Sequence, residues 1–162
     1  MSNPTTHATT LAELLEANRR HPGRITYLEG EHDARDVSYE ELHARALGIR
    51  HHLQRLGARR GDKLILFLGS NEQFIDAFWA AVLGGIVPVP VDLGISDEHR
   101  HKLLRIARKL GQPFIHTGRR SLVRIGAFAA QAGESATFEG LRARAFLVDD
   151  LDDISRAGKP YE

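Results

Sequence analysis

The clearest structural signal in the sequence is the run Lys63-Leu64-Ile65-Leu66-Phe67-Leu68. Its almost continuous apolar character is typical of a strand that is covered on both faces, as in a parallel sheet. Gly69 ends this strand, and Ser70 or Asn71 can cap a helix that follows it. A buried strand followed by a capped helix indicates an α/β protein, and the same succession continues downstream.

Three further strands are predicted after this one, at 86–91, 114–116 and 145–148. The helices between the strands are predicted from Asn71 to the break at Gly84-Gly85, from Ser96 to Leu110 and from Ser121 to Ala132, with one or two helical turns from Phe138 to Arg144. Pro88 and Pro90 each remove an amide donor, so their strand is expected at a sheet edge or in a short pairing. This order predicts a doubly wound, mostly parallel sheet with helices on both faces.

The segment before the strand at 63–68 predicts a short helix, a β-hairpin and a longer helix. Leu11, Leu14 and Leu15 follow the helical period, and two β-favouring stretches then flank a turn at 30–33. Ser38 and Glu41 fit a capping box for the next helix. We therefore divide the chain into an N-terminal arm and helix (1–22), a hairpin (23–39), an α/β core (40–148) and a polar connector (149–162).

Composition places the chain among ordinary soluble domains. It has 162 residues, of which 42% are hydrophobic and 27% are charged, which is one domain's worth of sequence. The formal charge of +1 gives no general field for nucleic acid, and the absence of cysteine excludes disulfides and thiolate metal sites. Because no signal peptide is visible and the longest apolar run, 78–91, is too short to span a bilayer, we expect a cytoplasmic protein.

Several short motifs do not meet the requirements of the sites they resemble. The segment 57–63 lacks the spacing of a phosphate loop and precedes a strand. The histidine pairs His51-His52 and His99/His101 lie on amphipathic helices without a longer ligand pattern, so no metal site is expected. The aspartates after residue 148 lack the glycine and glutamate of a calcium loop and are interpreted as part of the connector.

The order of three segments carries a family resemblance. These are Val37-Ser38-Tyr39-Glu40-Glu41-Leu42 at a helix start, then Gly61-Asp62-Lys63 with the strand, helix and Ile86-Val87-Pro88-Val89-Pro90-Val91 that follow, and finally 103–107 to 114–117. Together they resemble the N-terminal subdomain of the AMP-forming adenylating ligases. That superfamily contains acyl-CoA synthetases, nonribosomal peptide adenylation domains and fatty acyl-AMP ligases.

Within this superfamily, two features resemble different branches. The long linker from Thr117 through the acidic stretch 149–155 is most similar to the fatty acyl-AMP ligases, which load acyl chains onto carrier proteins in polyketide and peptide assembly lines. Asp92, after the Pro-x-Pro-Val run, resembles the peptide-synthetase adenylation domains instead. A nonribosomal peptide adenylation domain and an acyl-CoA synthetase therefore stay open as alternatives.

The resemblance implies that the chain is a fragment whose catalytic groups lie elsewhere. In the family, the Ser/Thr/Gly-rich ATP loop, the ribose-binding aspartate and the catalytic lysine would all follow Glu162. The full-length parent would use ATP and Mg²⁺ to activate a fatty acid or another carboxylic acid, and would transfer it to the thiol of an acyl carrier protein. The fragment alone is expected to contain no catalytic residue, to bind no cofactor and to be inactive.

The resemblance also suggests a role for one helix. Asn71, Phe74, Phe78 and Trp79 could form part of the wall of an acyl tunnel, although Phe74, Phe78 and Ala81 also share one helical face and fit plain core packing. Without the rest of the ligase, the apolar surface formed by Phe74, Phe78, Trp79 and the segment 88–90 would be exposed. We expect this surface to favour association between copies of the chain.

Two other classes of protein are alternatives to the ligase. One is a free-standing, flavodoxin-like binding module, for which Gly69-Ser70-Asn71 is the nearest approach to a phosphate site. The other is a scaffold domain that docks a carrier protein through the basic residues of the 99–110 helix.

Overall fold

The computed structural model describes residues 8–30, 32–94 and 96–151. Its helices are α1 (Leu11–Asn18), α2 (Tyr39–Arg55), α3 (Asn71–Leu83), α4 (Asp97–Leu110), α5 (Arg119–Ala132) and α6 (Ser135–Ala143). Its strands are β1 (Arg24–Glu29), β2 (Asp33–Ser38), β3 (Lys63–Phe67), β4 (Val87–Pro90), β5 (Phe114–Thr117) and β6 (Ala145–Leu147). The predicted order of strands and helices is thereby confirmed, with α6 longer than the sequence indicated.

The core of the protein is a parallel sheet of four strands in the order β4-β3-β5-β6. β3 lies inside this sheet and pairs with both β4 and β5. β4, with its two prolines, forms one edge, as their missing amide donors predicted. The fold class is therefore the predicted α/β type with a parallel sheet flanked by helices.

Alternate residues of β3 build two separate hydrophobic layers, because successive side chains of a strand point to opposite faces. Leu64 and Leu66 belong to a cluster that also contains buried residues of α2 and α3. Ile65 and Phe67 belong to a second cluster with buried residues of α4, α5 and α6. The sheet is thus covered on both faces, which explains why β3 is apolar at every position after Lys63.

A third cluster joins the hairpin to the helices. Leu15 of α1, Tyr27 and Val37 of the hairpin and Leu42 of α2 are buried together. The imidazole of His43, also on α2, lies 2.6 Å from Glu16 of α1 and ties the two helices. The hairpin therefore packs against the α/β core through buried apolar side chains.

The predicted capping box of α2 forms only in part. Ser38 Oγ accepts a hydrogen bond from the Glu41 amide at 3.1 Å, as predicted. The Glu41 carboxylate, however, contacts the guanidinium groups of Arg45 and Arg35. A charged partner on the next turn competes successfully with the backbone for this carboxylate, because hydrogen bonds between charged groups are stronger.

The face of α3 predicted for core packing is only partly confirmed, because Ala81 is buried whereas Phe74 and Phe78 pack at the margin of the core. The residues of α3 that are buried are Asp76, Ala77, Ala80 and Ala81, whereas Phe74, Ile75, Phe78 and Val82 are only partly buried. Small side chains allow α3 to approach α2 and the sheet closely, so the larger side chains lie at the margins of the contact. Helical periodicity identified an apolar helix but not the face that packs.

Two further features of the described residues concern membrane spans and the segment after β6. Within 8–30, 32–94 and 96–151, no helix is both long and apolar enough to cross a bilayer. After β6, Val148–Asp150 form a short 3-10 turn, and Leu151 is buried in the α2/α3 layer. The rest of the predicted connector, 152–162, lies outside the described residues.

Candidate functional site at the carboxyl edge of the sheet

The strand order creates a switch point between β3 and β5. From β3 the chain passes through α3 to β4 on one side, whereas from β5 it passes through α5 and α6 to β6 on the other. α3 and α5 consequently cover opposite faces of the sheet. In open α/β sheets, the loops at the carboxyl ends of the two strands diverge at such a point and leave a crevice that commonly binds ligands.

A cavity of about 380 Å³ occupies this position, and we call it the switch-point crevice. Its walls come from the ends of three strands and the segments that follow them, at 67–70, 118–121 and 148–149, together with Gln73 and Leu93. Phe67 at the end of β3 and Leu68 directly after it therefore line the crevice, as expected for a doubly wound sheet. The first turns of α3 and α5 both border the crevice.

The N-terminus of α5 is closed by a side chain from another element. Asp149 accepts a hydrogen bond from the Arg119 amide at 2.7 Å, and Asp150 lies 3.0 Å from the Arg119 guanidinium. The bond from the Arg119 amide lowers the pKa of Asp149. The first turn of α5 carries two arginines and no acid, which opposes the helix dipole, and the Asp149 carboxylate offsets this.

A second cavity of about 310 Å³ adjoins the crevice, and we call it the inner chamber. The two cavities share Ser70, Gln73 and Val148 in their walls. The rest of the chamber wall comes from α2, α3, β2 and β5, and Leu151 closes one side. In contrast to the apolar layers above and below the sheet, this chamber is lined mainly by polar and charged groups.

Ion pairs form one wall of the inner chamber. Arg45, whose side chain is 4% exposed, contacts Glu72 at 2.7 Å and Asp76 at 2.7 Å. Arg35 of the hairpin contacts Glu72 at 3.2 Å. Burial raises the pKa of Asp76 to about 6, and this effect outweighs the hydrogen bond from Arg45 that favours the ionised form.

His116 also lines the inner chamber. It is 1% exposed, and its Nδ1 lies 2.8 Å from the carbonyl oxygen of Phe146. A carbonyl only accepts hydrogen bonds, so Nδ1 carries the proton and Nε2 is a bare acceptor in the neutral ring. Burial lowers the pKa of His116 to about 4, so the ring is neutral at physiological pH.

The residues predicted for an acyl-tunnel wall lie beside the two cavities rather than in their walls. Asn71 is exposed at the start of α3, and Phe74, Phe78 and Trp79 are partly buried against the apolar layers. The α3 residue that lines both cavities is Gln73 instead, next to the helix cap Ser70. The tunnel-wall role of the four residues stays a prediction.

Sequence reasoning missed Arg45, Asp76 and His116. Two signals were available: an aspartate on the apolar side of α3 and a histidine inside the short strand β5. The partners of both residues are distant in sequence, and only the folded sheet brings them together. Among residues 8–30, 32–94 and 96–151, no group of three or more histidine, cysteine or acidic side chains is arranged to hold a metal ion.

Comparison with known proteins identifies the family. The AMP-binding enzyme family matches residues 14–108, and the chain belongs to this family of adenylate-forming, ATP-dependent enzymes. The phosphinothricin tripeptide synthetase PhsC of Streptomyces viridochromogenes is 30% identical over 158 residues, which are 98% of this chain and 14% of PhsC. The chain therefore spans about a seventh of this relative.

Solved structures agree with the family assignment. The structure of McyG A-PCP complexed with phenylalanyl-adenylate superposes with a TM-score of 0.77 and 28% identity, over 94% of this chain and 27% of that one. The fatty acid AMP ligase from Legionella pneumophila gives a TM-score of 0.72 at 19% identity, over 96% of this chain and 26% of that one, and shows the shared fold. The resemblance read from the sequence is confirmed at the level of the superfamily.

Proposed function

We propose that this chain forms the N-terminal subdomain of an ATP-dependent ligase that activates a carboxylic acid as an acyl-adenylate. The observation that carries the proposal is the match over nearly the whole chain to a peptide synthetase and to an adenylation structure holding an acyl-adenylate. In this proposal, 1–22, 23–39 and 40–148 form the arm, hairpin and core of the subdomain, and 149–162 connects it to the ATP-binding region.

In this proposal the phosphates of ATP and the magnesium ion bind outside the described residues. The N-terminus of α5, where a phosphate could bind to backbone amides, already holds the Asp149 carboxylate. No metal-binding group of acidic side chains is present in the described ranges. ATP and Mg²⁺ would therefore be held by the remainder of the ligase, and this chain would supply scaffold and one side of the switch-point crevice.

The acceptor in this proposal is the thiol of a carrier protein. Support comes from McyG, whose structure contains an adenylation domain together with a PCP. An acyl-CoA synthetase remains the alternative, because a 4-hydroxybenzoate--CoA/benzoate--CoA ligase of Rhodopseudomonas palustris is 30% identical over 82 residues, half of this chain.

Two classes of acid are candidates for the substrate. Amino or keto acids are favoured by identity, since adenylation structures bound to phenylalanyl-adenylate and a keto acyl adenylate are 28% and 27% identical to this chain. A fatty acid is the second candidate, supported by fatty acyl-adenylate ligases from E. coli and L. pneumophila at 25% identity and a TM-score of 0.65. In either case we propose that Asn71, Phe74, Phe78 and Trp79 form part of the wall behind the acyl group.

The substrate class is tested by exchange of labelled pyrophosphate into ATP, catalysed by the full reading frame that contains this chain. Panels of amino acids, 2-keto acids and fatty acids are compared at equal concentration. Exchange that depends on one panel identifies the acid. Failure of every carboxylic acid to support exchange, in a folded enzyme that binds ATP, would overturn the proposal.

The comparisons bear on the two alternatives to the ligase, which are a flavodoxin-like module and a scaffold that docks a carrier protein. Family membership favours the ligase over a flavodoxin-like module, although the strand order of the two is similar. Docking of a carrier protein on α4 stays a proposal, and the side chains available for it, Lys102, Arg105 and Lys109, are exposed. Self-association of the isolated chain is likewise a proposal, to be measured by sedimentation.

A further inference from the structure

A serine, a histidine and an aspartate meet at the start of α4. The hydroxyl oxygen of Ser96 lies 2.6 Å from Nδ1 of His99, and Nε2 of the same ring lies 3.5 Å from the Asp92 carboxylate. Each nitrogen of the imidazole therefore faces one of the two partners. This is the sequence of contacts that joins a nucleophile, a general base and a group that orients the base.

The Asp92 carboxylate determines which ring nitrogen carries the proton. An ionised carboxylate only accepts hydrogen bonds, so we assign the proton of the neutral His99 ring to Nε2, on the side of Asp92. Nδ1 then has a free lone pair, and the Ser96 hydroxyl donates its hydrogen bond to that lone pair. The imidazole is thus in the form that can accept the proton of the serine hydroxyl.

The loop between β4 and α4 is shaped around this imidazole. A Cβ atom at Gly94 would overlap the ring of His99, so glycine is the residue that allows the ring to lie against the backbone at this position. The ring is therefore held on one side by the backbone of the loop, and each of its nitrogens faces a polar side chain.

The Ser96 hydroxyl does not cap its helix, in contrast to the other serine N-caps. Ser38 and Ser70 each accept a hydrogen bond from a backbone amide in the first turn of the following helix, whereas the hydroxyl of Ser96 makes no such bond. The Asp97 amide comes directly after this serine and has no acceptor inside the helix. In hydrolases whose nucleophilic serine begins a helix, the amide in that position stabilises the oxyanion.

The three side chains are accessible to a substrate. Ser96 is exposed, and the side chains of His99 and Asp92 are 36% and 77% exposed. A cavity of about 70 Å³ has Gly94 in its wall, and its apolar residues are Phe67, Leu93 and Ile125. This volume suits an acyl group of two or three carbon atoms.

We propose that Ser96 and His99, oriented by Asp92, hydrolyse esters of short carboxylic acids. Oγ of Ser96 bonds to the ester carbonyl carbon while its proton passes to Nδ1 of His99. The bond from that carbon to the alcohol oxygen then breaks, and the leaving alcohol takes the proton. Water attacks the acyl-serine with Nδ1 again accepting a proton, the acid leaves, and the Ser96 hydroxyl is restored.

This reaction consumes one ester and one water and yields one acid and one alcohol. It is separate from adenylate formation, in which the chain alone is expected to be inactive, and it does not depend on the proposed ligase. Ser96 and His99 are the catalytic residues of this proposal, and Asp92 is a positioning residue.

The test uses the 162-residue chain with two kinds of probe. Hydrolysis of p-nitrophenyl acetate is followed by the release of p-nitrophenolate, and we expect a rate that saturates with ester concentration. A fluorophosphonate loses fluoride and leaves a stable phosphonate ester on a reactive serine, which mass spectrometry of the digested chain locates. We expect one label per chain, on Ser96.

The length of the acyl group tests the proposed use of the small cavity. We expect p-nitrophenyl octanoate to react at least about tenfold more slowly than the acetate, because the cavity does not admit an eight-carbon chain. Equal rates with the two esters would overturn the assignment to short acids.

Variants separate the site from ordinary surface reactivity. Ser96→Ala should abolish the label and the saturable hydrolysis, and His99→Gln should slow both at least about tenfold. His101→Gln removes an exposed histidine two positions further on and should react like the unmodified chain. Circular dichroism verifies the fold of each variant, and Asp92→Asn replaces His99→Gln if the latter does not fold.

The role of Asp92 is tested by two substitutions of different chemistry. Asp92→Asn should lower kcat at least about tenfold with KM little changed, and Asp92→Glu, which keeps the carboxylate, should restore most of the rate. The proposal is overturned if Ser96 of the unmodified chain takes no label, or if Ser96 is labelled equally fast in folded His99→Gln or Asp92→Asn. It is also overturned if His101→Gln loses as much activity as His99→Gln.

Discussion

The Arg45 guanidinium on α2 donates a hydrogen bond to Oδ1 of Asp76 on α3 at 2.8 Å and lies 2.7 Å from Oδ2 of the same carboxylate. Both residues are buried, and 31 positions separate them in the chain. The pair joins the two helices that cover one face of the sheet, and Glu72 and Arg35 extend it to the hairpin. The pair therefore adds a buried polar contact between α2 and α3 to the apolar contacts that these helices make with β3.

Removing one partner of this pair should destabilise the fold strongly. We expect Arg45→Ala to lower the free energy of unfolding by about 3 to 5 kcal/mol, because it leaves a buried carboxylate without its counter-ion. Arg142→Ala, which breaks an exposed pair with Glu139, should cost less than about 1 kcal/mol. Urea denaturation of the two variants measures the difference. Equal shifts of the two midpoints would show that the Arg45 pair is not buried as described.

Asp76 and His116 should make opposite contributions to the pH dependence of stability. The pKa of Asp76 rises from 3.8 to about 6 on folding, so the folded chain holds a proton that the unfolded chain releases, and stability falls as pH rises through this window. The pKa of His116 falls from 6.5 to about 4, so the unfolded chain binds the extra proton and stability rises over nearly the same window.

The two variants that separate these contributions are Asp76→Asn and His116→Gln. Relative to the unmodified chain, Asp76→Asn should gain stability more steeply between pH 4 and 6, since only the His116 contribution remains. His116→Gln should lose stability over that interval for the converse reason. Urea midpoints at closely spaced pH values provide the measurement. Profiles of both variants that run parallel to that of the unmodified chain would contradict the two pKa displacements.

The hydrogen bond between the Asp149 carboxylate and the Arg119 amide should protect the first turn of α5 from hydrogen exchange. Asp149→Asn weakens the bond to the Arg119 amide and removes the negative charge that offsets two arginines in the first turn. We expect faster hydrogen exchange of the Arg119 amide in this variant, with exchange in α3 unchanged. Asp97→Asn, in the first turn of α4, is the matched control. Unchanged protection of Arg119 would mean that the cap contributes nothing in solution.

The packing of α3 predicts an unusual order of mutational costs. Ala80 is fully buried, so Ala80→Leu should overpack the contact with α2 and cost about 1 to 3 kcal/mol. Phe78 is only partly buried, so Phe78→Ala should cost less than the roughly 3 to 5 kcal/mol of a fully buried phenylalanine. Exposed Lys102→Ala, the reference, should stay within about 0.5 kcal/mol. A larger loss for Phe78→Ala than for Ala80→Leu would contradict this packing of α3.

The features that the sequence predicted correctly have local causes. The apolar run of β3 and the prolines of β4 are sufficient to indicate a buried strand beside an edge strand. The face of α3 that packs could not be predicted, because it depends on how closely α2 approaches. The inner chamber could not be predicted from the sequence either. Arg45, Asp76 and His116 line one cavity only after the fold has brought α2, α3 and β5 together.

The most direct test of the proposed ligase is to measure ATP–pyrophosphate exchange in two proteins side by side. One is the full reading frame that contains this chain, and the other is the purified 162-residue chain. We predict acid-dependent exchange by the first protein and none above the blank by the second, because in our proposal the groups that stabilise the transferring phosphate lie outside this chain. Exchange catalysed by the 162-residue chain itself would contradict its assignment as a non-catalytic N-terminal subdomain.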